Sequence, residues 1–264
     1  MIQYSFDTPD PIEVVVRNAA GEIEVACEET ATTEVVITPH RQADEDAAER
    51  TTVVQDGRHL RIDVPERRWG SSHRIGVRVT VPARSTLLAR TASADVRCTG
   101  TLSGLTASCA SGDVAAGVIE GDATVSSASG DVTLAVVTGM ARVRTASGDV
   151  TAGQIAGLDV STASGDVIAG SLNGTMQVRT ASGDVQLSDA VGGSVEVNTS
   201  SGDIVVGVRR GSSVRLDLSS HTGDVRSELT VQDSAPTGGT TLDLRLQSAS
   251  GDISVRRGPA TQVA

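Results

Sequence analysis

Lysine is absent from this 264-residue chain, and aromatic residues are almost absent. All 22 basic residues are arginine, and the only aromatic side chains are Tyr4, Phe6 and Trp69. The net charge is −11 at pH 7, and no segment gathers the arginines into a basic stripe. Because proteins that bind nucleic acids carry a clustered basic surface, the composition predicts that nucleic acid is not a partner.

A long apolar run is also missing. Met1 leads directly into residues 2–7, with no basic start, and no later segment approaches the length of about 20 apolar residues that spans a bilayer. The sequence therefore predicts a cytoplasmic protein with no membrane partner. The three cysteines, Cys27, Cys98 and Cys109, show no C-x-x-C spacing and are expected to be small buried apolar residues.

The chain instead contains a sequence motif, Thr-Ala-Ser-Gly-Asp-Val, that is repeated with variations between Thr91 and Ile253. Its aspartate recurs at intervals of 17 to 28 residues, most often 18. The positions are Asp95, Asp113, Asp131, Asp149, Asp166, Asp184, Asp203, Asp224 and Asp252. A nearly fixed period is typical of repeat architectures, in which each unit packs against its neighbours.

Apolar and polar residues alternate before each aspartate. Leu158 and Val160, which precede Asp166, illustrate the two apolar columns that enclose a polar one. This period of two predicts a strand with one buried face. Because Val or Ile follows every aspartate, Ser-Gly-Asp is expected to turn a corner between two short strands. If the corner glycine needs a positive φ, Ala94, which replaces it in the first copy, is predicted to be strained.

The pattern is translated from copy to copy and never mirrored, which predicts parallel stacking at about 4.8 Å per coil. The predicted fold is an all-β, single-stranded parallel β-solenoid of about 18 residues per coil. The right-handed form is preferred because parallel crossovers are generally right-handed. Each corner aspartate is expected to stack on the next and to accept an N–H of its own turn. The hydroxylated column four positions earlier, which includes Thr145, is expected to lie inside and to hydrogen-bond along its length.

The chain divides into a degenerate first part and a regular second part. Residues 1–90 begin with a degenerate copy of the repeat (the worn copy), in which Glu22 takes the place of the aspartate. Predicted strands, an acidic helical turn at 44–50 and a hairpin around 55–58 follow it. These later segments are expected to form an irregular cap over the first edge. Residues 91–258 are the regular coils, with a loop extruded near 232–240, and residues 259–264 are a tail.

Several segments resemble one known family. They are Phe6-Asp7-Thr8-Pro9-Asp10-Pro11-Ile12, Ala47-Ala48-Glu49, Val81-Pro82-Ala83-Arg84-Ser85, Leu216-Asp217-Leu218 and Ser250-Gly251-Asp252-Ile253, together with the Ser-Gly-Asp-Val repeats. Over essentially the whole chain they resemble the actinobacterial β-strand-repeat proteins of a domain-of-unknown-function family labelled putative adhesin. The resemblance implies a bacterial β-solenoid with an adhesin-like role, and it supplies no catalytic residues.

The sequence contains no nucleophile elbow, phosphate loop, dinucleotide fingerprint or zinc spacing. The four histidines are far apart and are expected to be solvated, while helix capping and solvation are expected to explain Asp44 and Asp46. One carboxylate per coil is too few ligands for calcium. We therefore predict that the chain is not an enzyme and that it has no catalytic, cofactor-binding or metal residues.

Two function classes remain open. The first is a non-catalytic scaffold or interaction module that contacts a protein or a second copy through a small outward column: Ala115, Thr133, Thr151, Ile168, Gln186 and Val205. Ordinary exposed surface also explains this column. The alternative is a saccharide-acting or saccharide-binding β-helix, which could use Arg142, Arg144 and Asp159 on adjacent coils, although an exposed ion-pair cluster explains these residues equally well.

Overall fold

The computed structural model describes residues 1–66, 72–229 and 240–258. The protein is all-β, with 67% of its residues in strands and 3% in helices, as predicted. It forms two compact units, Met1–Leu134 and Ala135–Ala264. The domain boundaries predicted at residues 90 and 258 stay predictions, and the predicted loop near 232–240 and the tail at 259–264 lie almost wholly outside the described residues.

The first unit contains β1 (Ile2–Asp7), β2 (Glu13–Arg17), β3 (Ala20–Glu28), β4 (Thr32–Pro39), a 3₁₀ turn (Gln42–Asp44), α1 (Glu45–Glu49), β5 (Thr52–Asp56), β6 (His59–Asp63), β7 (Arg74–Pro82), β8 (Thr86–Arg90), β9 (Asp95–Leu102), β10 (Gly104–Ser108), β11 (Val114–Ile119) and β12 (Ala123–Ser126). β13 (Val132–Arg144) begins in the first unit and ends in the second. The second unit continues with β14 (Val150–Ser161), β15 (Val167–Ser182), β16 (Val185–Ser201), β17 (Ile204–Val208), β18 (Ser213–Ser220), β19 (Val225–Ser227), β20 (Thr241–Ser250) and β21 (Ile253–Arg257).

Equivalent residues of successive copies pair side by side in parallel strands. In the second unit, Val167 of β15 lies beside Val150 of β14 and Val185 of β16. In the first unit, β10 pairs in parallel with β8 and β12, and β11 pairs in parallel with β9. The translated sequence pattern therefore produces the parallel stacking that was predicted.

The inward columns form the core. Leu158, Val160, Met176 and Val178 are at most 1% exposed, and the residues between them face outward. Small aliphatic side chains stacked at the strand spacing thus replace the large aromatic side chains that the chain lacks. The assignment of the inner and outer faces is confirmed for these strands.

The corner aspartates form a hydrogen-bonded ladder along the surface. In the second unit, the backbone N–H of Asp166 donates to Oδ1 of Asp149 (2.9 Å), and that of Asp184 donates to Oδ1 of Asp166 (2.8 Å). In the first unit, Asp113 donates in the same way to Asp95 (3.1 Å). The prediction that each aspartate bonds within its own turn is wrong, because its carboxylate reaches the N–H of the neighbouring corner. A ladder of this kind satisfies a backbone donor at each step and leaves the carboxylates exposed to solvent.

The hydroxylated column is inside, but its hydrogen bonds are local. Oγ1 of Thr145 accepts the N–H of Gly148 (3.0 Å), and Oγ of Ser127 accepts that of Gly130 (2.8 Å). These hydroxyls therefore close their own corners three residues on, and do not bond along the column as predicted. This is the local side-chain-to-backbone bond that Ser and Thr favour in turns. Within the described part of the chain, Oγ1 of Thr180 and Thr199 has no hydrogen-bond partner, while Ser220 and Ser248 donate to a carbonyl oxygen of the neighbouring corner (Gly251 and Gly202).

The corner glycines serve close packing. The φ angles of Gly130 and Gly165 lie outside the left-handed region. A Cβ on Gly165 would lie 2.0 Å from the carbonyl oxygen of Gly148, and one on Gly130 would lie 1.9 Å from that of Gly112. The positive-φ model is therefore wrong for these corners, although Gly202, the corner glycine before Asp203, has a φ of 153°. At Gly130 and Gly165, glycine is needed because adjacent corners approach within contact distance.

Neighbouring coils do not follow chain order at the two ends of the chain. In the first unit, β2 lies between β6 and β8, and β3 lies between β7 and β9. In the second unit, β20 lies between β16 and β18, and β21 lies between β17 and β19. As a result, Asp224 donates its N–H to Oδ1 of Asp252 (2.9 Å), and Asp252 donates to Asp203 (2.8 Å). The expectation that each aspartate stacks on the next in sequence fails at this point.

Antiparallel strands complete the first unit. β4 pairs with both β1 and β7, and β5 pairs with β6 through the predicted hairpin, where Gly57 has a φ of 56°. The predicted helical turn is present as the 3₁₀ turn and α1. β6 and β7, which belong to the segment expected to cap the solenoid, pair in parallel with β2 and β3.

Candidate interaction surface

An uncharged row of outward side chains crosses five adjacent strands of the second unit. Parallel register aligns Thr151 with Ile168, Ile168 with Gln186, Gln186 with Val205, and Val205 with Ser254. We call these five residues the uncharged row. The first three are exposed and the other two are half-buried, and Ile168 is 45% exposed. The row ends at Arg226 of β19, which lies beside Ser254.

The outward side chains on the strands before the corners include charged residues in adjacent strands. Register places Asp159 beside Gln177, Gln177 beside Glu196, and Glu196 beside Arg245. Nε2 of Gln177 donates to Oε2 of Glu196 (3.3 Å). The two outward faces of the second unit thus differ: one carries paired charges, and the other presents the uncharged row.

The residues suggested for a saccharide site are distributed over two strands. Arg142 and Arg144 are exposed on β13, and Asp159 is half-buried on β14. The described aromatic residues, Tyr4 and Phe6, are half-buried and belong to β1 of the first unit.

A shallow groove of about 280 Å³ opens on the first unit. It is lined by Pro11, Ile12, Glu13, Arg58, His59, Arg84, Thr86 and Ser103. Arg58 donates from Nε and Nη2 to the carbonyl oxygen of Pro11 (2.9 and 2.7 Å), and His59 Nδ1 lies 3.4 Å from Oε1 of Glu13. Arg84 Nε lies 2.9 Å from Oε2 of Glu120. Each of these ionisable side chains therefore has a partner within the first unit, so the groove has a structural explanation.

Residues 81–85, one of the segments that resemble the β-strand-repeat family, form the turn that precedes β8. Arg84 adopts a φ of 64°, and Oγ of Ser85 donates to the carbonyl oxygen of Pro82 (2.7 Å). The same Ser85 hydroxyl accepts the N–H of Ile12 (3.0 Å), which ties the start of β2 to the turn. This motif therefore has a structural function.

A buried ionic cluster joins the 3₁₀ turn to the start of β7. Nδ1 of His73 lies 3.1 Å from Oδ1 of Asp44, and Nε of Arg41 lies 2.9 Å from Oδ2. Burial acts to raise the pKa of Asp44, but the hydrogen bonds from Arg41 and His73 and the charge of Arg41 lower it overall. The predictions of a solvated His73 and a solvated, helix-capping Asp44 are wrong, since both are buried and Asp44 makes no side-chain capping bond. Their 29-residue separation left no sequence signal.

The three cysteines are free and buried, as predicted. Burial raises the pKa of Cys27 to about 11 and that of Cys98 to about 12, and it also raises the pKa of Cys109. Because the thiolate is the reactive form, these thiols are poor nucleophiles and poor metal ligands at neutral pH. Within the described ranges, no three His, Cys, Asp or Glu side chains are grouped in a way that could hold a metal ion.

A family model described as Toastrack DUF4097 matches residues 12–256 of this chain. The chain belongs to the Toastrack family. The match covers the coils of both units, so the Ser-Gly-Asp repeats and the turn at 81–85 are features of a Toastrack protein. No curated protein matches the chain in sequence.

Several solved bacterial structures are similar to the Toastrack chain. A putative adhesin from Bacteroides fragilis superposes with a TM-score of 0.50 at 12% identity, over 96% of each chain. A putative adhesin from Parabacteroides distasonis gives 0.44 at 13% identity, over 96% of each chain. A putative lipid binding protein from the same species gives 0.47 at 13% identity, over 98% of this chain and 96% of the other. At 12% identity, the likeness to the Bacteroides fragilis protein concerns the fold.

None of the described helices has the length and apolar character needed to cross a membrane.

Proposed function

We propose that this Toastrack chain is a non-catalytic β-solenoid that binds another protein through the uncharged row. The observation that supports the proposal is the in-register alignment of Thr151, Ile168, Gln186, Val205 and Ser254 across five strands. The adhesin name of the Bacteroides fragilis protein, which has a similar fold, agrees with a binding role.

The physical case rests on the low energetic cost of covering this surface. Parallel strands about 4.8 Å apart make the row a rigid strip of about 20 Å. Apart from Gln186, its side chains are short or branched and lose little rotamer entropy when they are covered, and no charge within the row has to be desolvated. Ile168 supplies an exposed apolar centre, in contrast to the net charge of −11 of the whole chain.

Substitution within the row tests the proposal. We expect Ile168→Arg to abolish capture of a protein partner from the native bacterial extract, because it puts a charge on the most exposed apolar side chain of the contact. The matched control is Thr175→Arg, which adds the same side chain to the other outward face of the same strand, at an exposed position. Captured proteins are identified by mass spectrometry and then titrated in purified form against both variants.

Equal loss of the partner with both variants, or equal retention by both, would contradict the proposal. The saccharide alternative is tested in parallel on a glycan array. Glycan binding that survives Ile168→Arg, without any protein partner, would favour the alternative. A screen for turnover of the bound glycan would then separate saccharide binding from saccharide hydrolysis.

Four finer expectations from the sequence are carried forward as proposals. We infer right-handed coils of about 18 residues because parallel crossovers are right-handed in nearly all known cases, and an experimental structure tests this. The cytoplasmic location is tested by fractionation of the native cells. The actinobacterial origin is supported by the repeat sequence. Self-association is developed below.

A further inference from the structure

β18 is an edge strand of the second unit with an incompletely covered apolar face. Among the described residues, β18 pairs with β20 alone. Leu216 is 37% exposed, although Leu244, its neighbour in β20, is 2% exposed. On the following strand, Val225 is 44% exposed, whereas its neighbour Ile253 is fully buried. The column that is buried in the inner strands is therefore open to solvent at this edge.

The backbone of β18 also presents hydrogen-bonding groups at the open edge. The N–H of Ser213 donates to the carbonyl oxygen of Thr240 (2.9 Å), and that of His221, just beyond the strand, donates to Ser248 (3.2 Å). Backbone groups alternate in direction along a strand, so the odd-numbered residues of β18 point toward β20. The N–H and C=O groups of Val214, Leu216 and Leu218 consequently point away from β20.

We propose that β18 pairs antiparallel with β18 of a second copy of this chain, with Leu216 opposite Leu216. In this register Val214 lies opposite Leu218 of the second copy. The residues whose backbone groups point away from β20 therefore face each other, and each opposed pair exchanges two hydrogen bonds. The apolar side chains of both copies lie on one face, because directly opposed residues share a face in an antiparallel pair. The contact would cover the exposed Leu216 in both copies.

Charge selects this register over its neighbours. Arg215 falls opposite Asp217 of the second copy, and Asp217 falls opposite Arg215, in non-hydrogen-bonded pairs where side chains approach most closely. A shift by two residues in one direction puts Arg215 opposite itself, and a shift in the other direction puts Asp217 opposite itself. Of these three registers, only the proposed one places opposite charges directly opposite each other.

The neighbouring strand extends the same pattern. Arg215 Nε lies 3.9 Å from Oδ1 of Asp243, and Nε of Arg245 lies 3.2 Å from Oδ2 of Asp217. Pairing of two copies would therefore make rows in which positive and negative side chains alternate across four strands. This complementarity identifies a second copy as the partner, in place of an unrelated extended segment.

A charge-swap experiment tests the pairing on the full chain. The native protein is expected to show a concentration-dependent dimer by light scattering coupled to size exclusion. Arg215→Asp and Asp217→Arg each put like charges opposite each other in a homodimer, and each should raise the dissociation constant roughly tenfold or more. In a heterodimer of the two variants, however, one copy carries aspartate at both positions and the other carries arginine at both. Each of these side chains therefore faces one of opposite charge across the contact. A heterodimer of the two variants should therefore form with native-like affinity.

Restoration by mixing separates the proposed contact from misfolding of a variant. Arg179→Asp, at an exposed outward position of β15, is the matched control and should dimerise like the native chain. A native chain that stays monomeric up to its solubility limit would overturn the proposal. The proposal would also be overturned if the mixture of Arg215→Asp and Asp217→Arg stayed monomeric, or if Arg179→Asp weakened the dimer as much as they do. Slow hydrogen exchange of the Leu216 amide in the monomer would overturn it too, because that amide would then not be free at the edge. Loss of a partner from the uncharged row leaves this prediction unchanged.

Discussion

Replacing a corner glycine by alanine is the sharpest test of how the coils are held together. Gly165 lies where the corner after β14 passes over the preceding corner. Its Cβ would lie 2.0 Å from the carbonyl oxygen and 2.7 Å from the carbonyl carbon of Gly148. Both atoms belong to the backbone, so rotation of a side chain cannot relieve the contact. Gly165→Ala must therefore push two corners apart.

The expected destabilisation follows from the hydrogen bonds beside that contact. The N–H of Val150 donates to the carbonyl oxygen of Asp166 (2.8 Å), and the N–H of Asp166 donates to Oδ1 of Asp149 (2.9 Å). Weakening two such bonds, together with overpacking, should lower the free energy of unfolding by about 2–4 kcal/mol. Lower entropy of the unfolded chain offsets about 0.4–1 kcal/mol of this. The net loss should be about 1–3.6 kcal/mol.

Gly104→Ala provides the control. Nearest to its Cβ would be Cγ2 of Thr86 at 3.6 Å and the carbonyl oxygen of Asp122 at 3.7 Å, which are ordinary contacts. This substitution should be neutral or stabilise by up to about 1 kcal/mol. Urea unfolding followed by circular dichroism measures both variants, with equal m-values as the check on a common unfolding reaction. If Gly165→Ala were as stable as Gly104→Ala, the close-packing explanation of the repeat's glycine would be wrong.

Three further predictions concern the interior. The thiol of Cys98, whose pKa burial raises to about 12, should react with a thiol reagent at pH 8 only after unfolding, and fast reaction of the native chain would contradict its burial. Asp44→Asn should destabilise the chain at pH 7, as measured by urea unfolding. Folding lowers the pKa of Asp44, so the stability advantage of the native chain over Asp44→Asn should be complete above the ordinary carboxyl pKa near 3.8. This advantage should disappear as the pH falls through the lower pKa of the folded state. Val160→Asp should lower the free energy of unfolding by several kcal/mol, because it buries an unpaired carboxylate, and amide exchange should speed up most in the adjacent coils. Arg144→Asp, at an exposed position, should change stability little. If Arg144→Asp lowered the thermal stability more than Val160→Asp, the assignment of inner and outer faces would be reversed.

Periodicity was sufficient to predict the strands, their parallel stacking and their buried face. Val160 and Val178 hold the same position in their copies, and a translated pattern can bury both only if the copies stack in register. The uncharged row follows from the same rule, since residues of opposite parity, such as Ile168, have to face outward. Each of these inferences uses one copy and its immediate neighbours.

The corner chemistry could not be read in this way, because its partners lie on the next coil. A sequence shows that Asp166 follows Gly165, which suggested a self-contained turn. The structure shows instead that the carboxylate of Asp149 serves the N–H of Asp166 and that Gly148 determines the room left for Gly165. Distances between adjacent corners depend on how closely two backbones approach, and no residue pattern within one copy specifies that approach.

Ala94 illustrates the same point from the other side. It occupies the glycine position of the first regular corner and is fully buried, without a positive φ. The coil beside it is the worn copy, whose corner has a different course, with Gly21 at a φ of 115°. The hydrogen bonds across the corner are nevertheless the usual ones: the N–H groups of Ala92 and Ser93 donate to the carbonyl oxygen of Ala19, as those of Ala110 and Ser111 donate to that of Ala92. We attribute the tolerance of a Cβ at Ala94 to the course of the neighbouring corner, since Gly21 has a positive φ and Ala94 does not.

The order of the coils was beyond sequence reasoning, because every copy offers the same inward columns and any two can pair. Both ends of the chain use this freedom in the same manner: the first coil, β2 and β3, and the last, β20 and β21, are each placed one position inward of an outer coil. The 28-residue interval between Asp224 and Asp252 is the sequence counterpart of this displacement. A longer connection adds little closure entropy, since that cost grows only with the logarithm of its length. In return, each of these two coils is held by parallel ladders on both sides, and both ladders must break before the coil separates. Among the described residues, the open edge of the second unit is therefore β18, whose alternating charges favour a second copy of the chain as its partner.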